Sequence, residues 1–480
     1  MPEIKTNSNI PKKYWYLILG TVLLSLALSF ISVNFPWYLA VGAIVMCLAG
    51  FFIWRQPLVG ILLVAFWLPF ERLGAFETGD TTIRLSQIFL VITFGVWFFI
   101  LISKGKFDFV RNRTLIPIVL FLLCGVFSLP NTLNFDRTLI VYAFIIFTAT
   151  LSFIVPNLIR TKNDLKKTIL VILVSFALVA SFGLYQFAAD MIGLPREVTG
   201  LRELYTKDIL GFTRVQSTAY EPLYFANYLL LPIALLMVLF FSGKGTLKNT
   251  WLLLLLALGL VNLVLTVSRG GYLALFALLF VISLYYYKKI FTVKNLIIII
   301  ISGFVVGWVV LRALGIGGDF FTLDKFSEHV TNAFYGASYD ERVDTFERAI
   351  EAWRDHPWFG VGFGGFGPYT AEHPEYVPED GWRIVNNQFL EILAENGVIG
   401  LFLYLMVLLF LFVRSLRAIR IARDNYLRAV MIALLATLIG IIVQYQTFST
   451  LYIMHIWFVI GLMIAVQNLI IFNHDSNQLD

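Results

Sequence analysis

The stretch WLLLLLALGLVNLVLTVSRGGYLALFALLFVISLYYY, from Trp251 to Tyr287, decides the fold class. An apolar run of about 20 residues is what a helix needs to cross a bilayer. Strands of a membrane barrel would instead alternate between apolar and polar residues, and this run does not alternate. Because Arg269 and two glycines interrupt it, we interpret the stretch as two membrane helices with the arginine between them.

The composition of the whole chain agrees with that interpretation. Its 480 residues are 59% hydrophobic and 14% charged, with a mean hydropathy of +0.82, whereas a soluble domain carries about 25% charged residues. We therefore expect an all-α polytopic membrane protein. Cys47 and Cys124 both fall in apolar runs and are expected to be small core residues. The five histidines are scattered, so neither a structural metal nor a cofactor is expected.

Apolar runs of this kind recur along the chain and predict about fourteen transmembrane helices. The predicted helices are 14–32, 37–54, 57–70, 85–103, 114–129, 138–158, 168–190, 220–242, 250–268, 271–287, 295–313, 387–413, 428–446 and 450–473. The first run lacks the small-residue cleavage site of a signal peptide, so we interpret it as a helix of the protein.

The distribution of charge predicts the orientation of these helices. If the N-terminus is cytoplasmic, the inward loops hold 22 of the 36 Lys and Arg residues but 6 of the 30 Asp and Glu residues. The positive-inside rule favours that arrangement, in which both termini are cytoplasmic. Two long polar segments, 191–219 and 315–386, then lie outside the cytoplasmic membrane.

The chain accordingly divides into four predicted regions. They are N-terminal transmembrane helices in 1–159, core transmembrane helices in 160–314, the large extracytoplasmic loop in 315–386 and C-terminal transmembrane helices in 387–480. Within the large loop, SYDERVDTFERAIEAWRDHP (338–357) predicts an amphipathic helix with Val343, Phe346, Ile350 and Trp353 on one face. This helix either lies on the membrane surface, caps a cavity or simply packs.

Two patterns suggest nucleotide or nucleic-acid binding and are rejected. The sequence GFGGFG at 362–367 matches a dinucleotide-binding pattern, but no strand precedes it and no βαβ unit surrounds it. The basic loops are interpreted as topology signals that face anionic lipid, so no nucleic-acid partner is expected.

Two arginines stand where apolar helices begin at the predicted outer face. Arg269 lies in TVSRGGYLAL (266–275) and Arg214 in GFTRVQSTAYEPLYFANYLL (211–230). Each arginine could simply stand at a helix end and extend its charged group to the membrane–water interface. Alternatively, the two guanidinium groups converge and bind a phosphate in bidentate fashion. The glycines after Arg269 would let a substrate or another helix approach the backbone closely.

Carboxylates and amides accompany these arginines. Glu221, which a proline follows, begins the predicted helix 220–242 and is either a partner of the helix dipole or a general base. The stretch VNNQFLEILAENGVIGLFLYL (385–405) places Asn387, Glu391 and Glu395 on one helix face. Because carboxylates that face lipid are costly, this face is expected to point at protein or at a water-filled cavity.

These stretches, in their order and spacing, resemble the O-antigen ligase and O-antigen polymerase superfamily. The resemblance covers about 160–465 and includes HPWFGVGFGGFG in the large loop. It implies a helical bundle with a loop lid, in which a glycan moves from undecaprenyl pyrophosphate onto an acceptor hydroxyl, with inversion and without a metal. The reaction would take place at the outer face of the bacterial cytoplasmic membrane. Paired arginines hold the pyrophosphate in this family, and the resemblance assigns that role to Arg214 and Arg269. In addition, we expect that Arg342 could close onto the phosphates from the lid.

One position departs from the ligase pattern H-N-x-[YF]-L-E, in which a histidine serves as the base. Asn386 occupies that position here, and an amide nitrogen is not a base. The departure favours a polymerase-type member. The base is then predicted to be Glu221, with Glu391 as the second candidate. Alternatively, no strong base is needed once arginines neutralise the leaving pyrophosphate.

We therefore predict a polymerase that extends a surface polysaccharide from lipid-linked repeat units, with a ligase or oligosaccharyltransferase as the nearest alternative. Tyr220, Asn386, Asn387 and Gln388 are predicted to contact the glycan. The expected partners are the undecaprenyl-pyrophosphate-linked glycan, the lipid bilayer, a chain-length regulator and a flippase. A transporter or flippase is the alternative of another class, but a transporter would be expected to place polar groups at mid-membrane in broken helices.

Overall fold

The computed structural model is a bundle of apolar helices. It describes residues 37–73, 75–78, 81–105, 110, 112–202, 213–243, 245, 247–290, 292, 337–378, 381–449 and 451–476. The helices are α1 (Trp37–Arg55), α2 (Leu58–Trp67), α3 (Leu85–Lys104), α4 (Leu115–Ser128), α5 (Phe135–Ala149), α6 (Leu151–Leu158), α7 (Lys162–Met191), α8 (Arg196–Thr199), α9 (Pro222–Ser242), α10 (Asn249–Leu265), α11 (Arg269–Ile290), α12 (Ala337–Asp355), α13 (Phe366–Thr370), α14 (Gln388–Ile421), α15 (Asn425–Gln444) and α16 (Met454–Ser476). Strands β1 (Phe76–Thr78) and β2 (Thr81–Ile83) form a short antiparallel hairpin, with Phe76 opposite Ile83.

Every predicted transmembrane segment that falls within the described residues coincides with a helix. Eight helices there are long and apolar enough to cross a membrane, and shorter apolar helices occupy the predicted segments at α1, α2, α4 and α10. The chain is thus a multi-pass membrane protein. The predicted helices 14–32 and 295–313 lie outside the described residues, so the total of fourteen and the location of the termini stay predictions.

Several helices extend beyond the ends that hydropathy predicts, because polar residues cap them. Helix α7 begins at Lys162 rather than at 168, because Thr161 and Asp164 form a capping box. The Thr161 hydroxyl accepts from the Asp164 N–H (3.2 Å), and the Asp164 carboxylate accepts from the Thr161 N–H (3.1 Å). The apolar pattern therefore marks the lipid-facing part of a helix, whereas its caps mark the ends.

Helices α9, α15 and α16 form the centre of the bundle. Helix α9 packs against α10, α11 and α15, while α16 packs against α6, α14 and α15. Protein surrounds these three helices along most of their length, whereas α3, α11 and α14 leave much of their surface exposed. Of the two cysteines, Cys124 is buried as expected, but Cys47 is exposed on α1, which corrects its assignment to the core.

The two ends of the bundle differ in charge. At one end, called the basic end, lie the described cations Arg55, Lys104, Arg113, Arg160, Lys162, Lys166, Lys167, Lys248, Lys288, Lys289, Arg414, Arg417, Arg420, Arg423 and Arg428. Helices α3, α5, α9, α11, α14 and α16 begin at the opposite end, called the site end, which holds the predicted arginines and carboxylates. This separation matches the pattern on which the predicted orientation depends.

Helix α14 is broken at Gly397, which has φ +67° and ψ −170°. Within a continuous helix, Val398 and Ile399 would donate to the carbonyls of residues 394 and 395. Instead, Val398 donates to the Pro357 carbonyl (2.9 Å) and Ile399 donates to the Trp358 carbonyl (3.4 Å). The vacated carbonyls accept from Val361 (3.0 Å) and from Gly362 (2.9 Å). The segment after α12 thus supplies the hydrogen bonds that the broken helix lacks.

The segment 337–378, called the lid, packs firmly onto the bundle. Helix α12 lies against α14, and its most buried side chains are Thr345, Ala349 and Ala352, rather than the predicted face of four larger residues. The glycine-rich and aromatic turn at 359–369 is also packed. Phe363 is fully buried and its ring stacks on that of Tyr142, with centroids 5.4 Å apart.

Replacing Gly397 by alanine should destabilise the protein strongly. An added Cβ would lie 2.3 Å from the backbone of Trp358, at a positive φ that L-residues rarely adopt. We expect a cost of about 3 kcal/mol or more, from backbone strain together with steric overlap. Thermal unfolding of the detergent-solubilised protein would measure it.

Gly193→Ala is the matched control for this substitution. Gly193 has φ +74°, but no atom lies within 4 Å of its added Cβ. This variant carries the backbone strain alone and should lose about 1–2 kcal/mol. Equal losses in the two variants would show that the close approach of the lid to α14 does not contribute to stability.

Candidate active site

Three non-glycine residues in the described chain have positive φ, and all lie at the site end. They are Ser217 (φ +52°), Val267 (φ +48°) and Asn386 (φ +58°). A β-branched residue such as Val267 adopts this conformation rarely. Each residue lies within one of the three stretches that the sequence singles out as functional. Strained backbone of this kind clusters at binding and catalytic sites.

The loop that carries Arg214 lies against the end of α10. Val215 donates its N–H to the Leu265 carbonyl (3.0 Å), and the Nε of Arg214 donates to the Thr266 carbonyl (3.1 Å). Further along the loop, the Ser217 hydroxyl donates to the Val179 carbonyl (2.6 Å). These bonds fix Arg214 beside the turn that leads to Arg269.

Arg269 begins α11 and is half-buried. The charge of Arg342, which comes from the lid helix α12, acts on Arg269. The charge of Arg214 acts on the hydroxyl of Tyr272, one turn after Arg269. The structure therefore brings the three predicted arginines to one region from three separate elements. Because like charges repel at short range, such a cluster favours an anionic ligand.

The two glycines after Arg269 serve helix packing. A Cβ on Gly270 would lie 2.2 Å from the Thr447 hydroxyl, and a Cβ on Gly271 would lie 2.9 Å from the Cβ of Ala226. The N–H of Gly271 already donates to the Ser268 hydroxyl (3.1 Å). Of the two possibilities raised by the sequence, close approach of another helix explains these glycines.

Glu221 is the N-cap residue of α9, with Pro222 at the first helical position as expected. Its side chain is half-exposed and forms no capping hydrogen bond. The charge of Glu221 acts on Glu71 and on the hydroxyls of Tyr224 and Tyr452. Those two hydroxyls are 3.1 Å apart and join α9 to the loop before α16.

Tyr220 is held from several sides. The guanidinium groups of Arg84 and Arg202 both lie over its ring, 5.1 Å and 5.5 Å from the ring centroid. Its backbone N–H donates to the Glu71 carboxylate (3.0 Å), and its hydroxyl donates to Thr82 of the hairpin (3.3 Å). These contacts give Tyr220 a structural role, while its predicted contact with the glycan stays a prediction.

Glu71 is a buried carboxyl group that no sequence motif marks. It lies just after α2, with 5% of its surface exposed. Burial raises the pKa of Glu71, and the nearby charge of Glu221 adds to that shift. The charge of Arg84 and the hydrogen bond from Tyr220 oppose it. Two carboxyl groups with different surroundings, Glu71 and Glu221, therefore lie close together at the site end.

The face of α14 that carries Asn387, Glu391 and Glu395 is buried in protein, as predicted from the sequence. Asn387 caps the helix by accepting from Phe389 (3.0 Å) and Leu390 (3.1 Å). Glu391 accepts from the N–H of Val385 (3.4 Å). The two carboxylates thus belong to the interior of the bundle and not to its lipid surface.

Arg137 of α5 is a cation close enough to act on these two carboxylates. Its charge acts on both Glu391 and Glu395. Its Nε donates to the Gly364 carbonyl (2.9 Å), and its guanidinium group lies over the Trp382 ring (4.9 Å). A nearby cation lowers the cost of burying a carboxylate, so Arg137 supports this arrangement.

The predicted glycan-binding amides differ in accessibility. Asn386 is half-buried, whereas Asn387 and Gln388 are buried, the latter with 1% of its surface exposed. The amide of Asn387 also donates to Gln446 (3.4 Å) while its oxygen caps the helix. Asn386 is thus the most accessible of the three, and the glycan contacts stay predictions.

A buried polar cluster joins the three central helices. His455 Nε2 lies 2.6 Å from the Asn227 side-chain oxygen, and the amide of Asn227 donates to Gln444 (2.8 Å). His455 could not be singled out from the sequence, because its partners lie on other helices. Polar side chains inside a membrane bundle are satisfied by such links between helices.

Comparison with known families identifies one stretch of the chain. Residues 252–405 match the family model described as O-antigen ligase. No curated protein matches the chain. The match confirms the resemblance to the O-antigen ligase and polymerase superfamily and points to glycan transfer of that type. Arg269, Arg342 and Glu391 lie within the matched stretch, whereas Arg214 and Glu221 lie before it.

The substitution Glu71→Gln, which removes an ionisable group, should change how the thermal stability of the protein depends on pH. Because its pKa is raised in the folded state, this group stabilises the protein at low pH and loses that contribution as pH rises through the raised pKa. Relative to Glu71→Gln, wild-type protein should therefore lose thermal stability as pH rises above the ordinary pKa of a glutamate, about 4.3. Melting curves of detergent-solubilised protein would measure this.

Glu375→Gln is the control for that measurement. Glu375 is more than half exposed, so its removal should leave the pH dependence of wild type unchanged. Parallel curves for wild type and Glu71→Gln would show that the surroundings of Glu71 do not disfavour its ionised form.

Proposed function

We propose that this protein, in which residues 252–405 match the O-antigen ligase family, is a polymerase of lipid-linked repeat units. It would extend a surface polysaccharide from undecaprenyl-pyrophosphate-linked glycans at the outer face of the bacterial cytoplasmic membrane. The observation that carries the proposal is the gathering of Arg214, Arg269 and Arg342 at the site end. The concentration of cations at the basic end supports the outward orientation of the site.

In the proposed reaction, the arginines hold the pyrophosphate of the donor. A hydroxyl of the acceptor glycan attacks the anomeric carbon, and the bond from that carbon to the pyrophosphate oxygen breaks with inversion. Undecaprenyl pyrophosphate leaves with the electron pair, and the hydroxyl proton passes to a base. Guanidinium groups placed where negative charge develops would lower the barrier without a metal ion.

Glu221 is the better placed of the two candidate bases. It is half-exposed at the start of α9, and the loop that carries Arg214 leads directly to it. Glu391 is buried and accepts a hydrogen bond from a backbone N–H, within range of the Arg137 charge. A group must reach the proton that it abstracts, so accessibility favours Glu221.

Asn386 supports a polymerase rather than a ligase. The ligase pattern places a histidine at this position, and an asparagine side chain cannot accept the proton at neutral pH. The matched family is nevertheless described as O-antigen ligase, so transfer to another lipid or to a protein is the second candidate. A purified polymerase supplied with lipid-linked repeat units alone would form a ladder of products, whereas a ligase would need the second acceptor.

The break in α14 does not favour a transporter. The helix beyond it, 398–421, rises about 1.5 Å per residue and is long enough to cross the roughly 30 Å hydrocarbon core. The part that carries the carboxylates can therefore lie at the outer boundary of the membrane. A flippase and a chain-length regulator are proposed as partners that deliver the donor and limit the product.

Arg214→Ala and Arg269→Ala should each abolish long-chain polysaccharide while single repeat units remain on the lipid. Removal of one charged donor from a site that stabilises developing negative charge costs about 100-fold or more in rate. Vesicles with purified protein and lipid-linked repeat units, analysed for product length, would measure it. Arg423→Ala, at the basic end, is the control and should retain wild-type chain length. Long chains in both site variants would refute the phosphate-binding role.

Glu221→Gln should reduce turnover about 100-fold or more while leaving donor binding unchanged, because it removes a base but preserves size. Glu391→Gln should reduce turnover less than Glu221→Gln does. Single-turnover rates and donor-binding constants, measured in the same vesicles, would separate the two effects. Full activity of Glu221→Gln would exclude Glu221 as the base.

A further inference from the structure

A large groove opens at the basic end of the bundle, far from the site end. Its volume is about 1380 Å³, and it is bounded by α3, α4, α6, α14 and α16. Three arginines line it, namely Arg113 just before α4, and Arg414 and Arg417 in the last part of α14. None of the residues that line this groove in the described chain is an aspartate or a glutamate.

The three guanidinium groups lie close together. The charges of Arg113 and Arg417 both act on Arg414. Arg414 is half-buried and donates to the Gln467 side chain (3.3 Å), whereas Arg113 and Arg417 are exposed. Gln467 is fixed in turn, because its amide donates to the Leu411 carbonyl (3.1 Å) and to the Ser415 hydroxyl (3.0 Å). The cationic cluster thus rests on an ordered support.

Amide side chains bound the groove beside these cations. The amide of Asn112 donates to Asn468 of α16 (2.9 Å), while its oxygen accepts from the N–H of Thr114 (2.8 Å). Asn157 accepts from the N–H of Val110 (3.0 Å) and donates to the Phe153 carbonyl (2.7 Å). These bonds hold the turn before α4 and therefore position Arg113.

The remaining wall of the groove is apolar and open toward the membrane. Phe98, Ile116, Val413 and Phe472 line it, and each is about half exposed or more. Such side chains suit the hydrocarbon tails of a lipid. Clustered arginines suit the phosphate of its headgroup, because guanidinium groups bind phosphate in bidentate fashion.

We propose that this groove binds an anionic phospholipid of the inner leaflet, with its phosphate on Arg113, Arg414 and Arg417 and its acyl chains along α3, α4 and α14. Charge complementarity identifies the headgroup, because the groove presents cations with no acidic side chain among the residues that line it. Basic pockets between helices on the cytoplasmic side of a membrane protein suit anionic lipids. This site is separate from the proposed catalytic reaction and does not depend on it.

Binding of phosphatidylglycerol and phosphatidylcholine with the same acyl chains would test the proposal. Native mass spectrometry of the full chain in a mild detergent would measure the apparent affinity for each lipid. Wild type should bind phosphatidylglycerol with an affinity about tenfold or more above its affinity for phosphatidylcholine. The variant Arg113→Gln/Arg414→Gln/Arg417→Gln should lose that preference. Excess inorganic phosphate should not displace the lipid, because it lacks the acyl chains.

The matched control is Arg420→Gln/Arg423→Gln/Arg428→Gln, which removes the same charge from the same end but lies outside the groove. It should bind phosphatidylglycerol within about twofold of wild type. If the groove triple variant does not fold, the single variant Arg417→Gln replaces it, because Arg417 is exposed; it should weaken binding about fivefold.

Several results would overturn the proposal. Equal affinity of wild type for the two lipids would show that the groove does not select an anionic headgroup. Equal loss of phosphatidylglycerol affinity in the two triple variants would show that the lipid is attracted by the positive charge of the surface in general. Displacement by inorganic phosphate would indicate a free-phosphate site. Absence of bound phospholipid in wild type would indicate that another part of the chain fills the groove.

Discussion

The exchange of backbone hydrogen bonds at Gly397 is the constraint on which the rest of the site end depends. Membrane helices satisfy their own backbone polar groups, and a break leaves those groups without partners unless other protein supplies them. Here the segment 357–362 supplies them, accepting from two N–H groups and donating to two carbonyls. The same contact holds the lid against α14 and separates the carboxylate-bearing turns of α14 from its membrane-crossing part.

The site end is assembled from elements that are distant in the sequence. Arg214 lies in a loop fixed against α10, Arg269 begins α11 and Arg342 comes from the lid. Strained backbone at Ser217, Val267 and Asn386 occurs in three of the connections that meet there. Strain of this kind persists only where the surrounding structure holds it, and buried hydrogen bonds such as that from Ser217 to Val179 supply the restraint.

Much of this architecture could be predicted from the sequence, because hydropathy and charge act locally. Uniform apolar runs predict membrane helices, and the spacing of Asn387, Glu391 and Glu395 predicts a buried face. Glu71 and Arg137 were missed because their importance comes from partners far along the chain. The break at Gly397 was also missed, since a glycine in an otherwise helical pattern gives no sign that another segment will replace its hydrogen bonds. The sequence is compatible with several roles for the glycines after Arg269. Only their neighbours in the structure, Thr447 and Ala226, identify helix packing as the role that these glycines have.

The shared hydrogen bonds at Gly397 also determine how the lid can move. A loop that merely rests on a bundle opens at little cost, and its amide hydrogens exchange independently of the helices beneath it. Here, separating 357–362 from α14 would expose N–H and carbonyl groups on both partners at the same time. The lid and the broken helix therefore form one cooperative unit of local unfolding, with a common opening free energy. The flexibility of the lid therefore depends on the lid and α14 together and not on the lid alone.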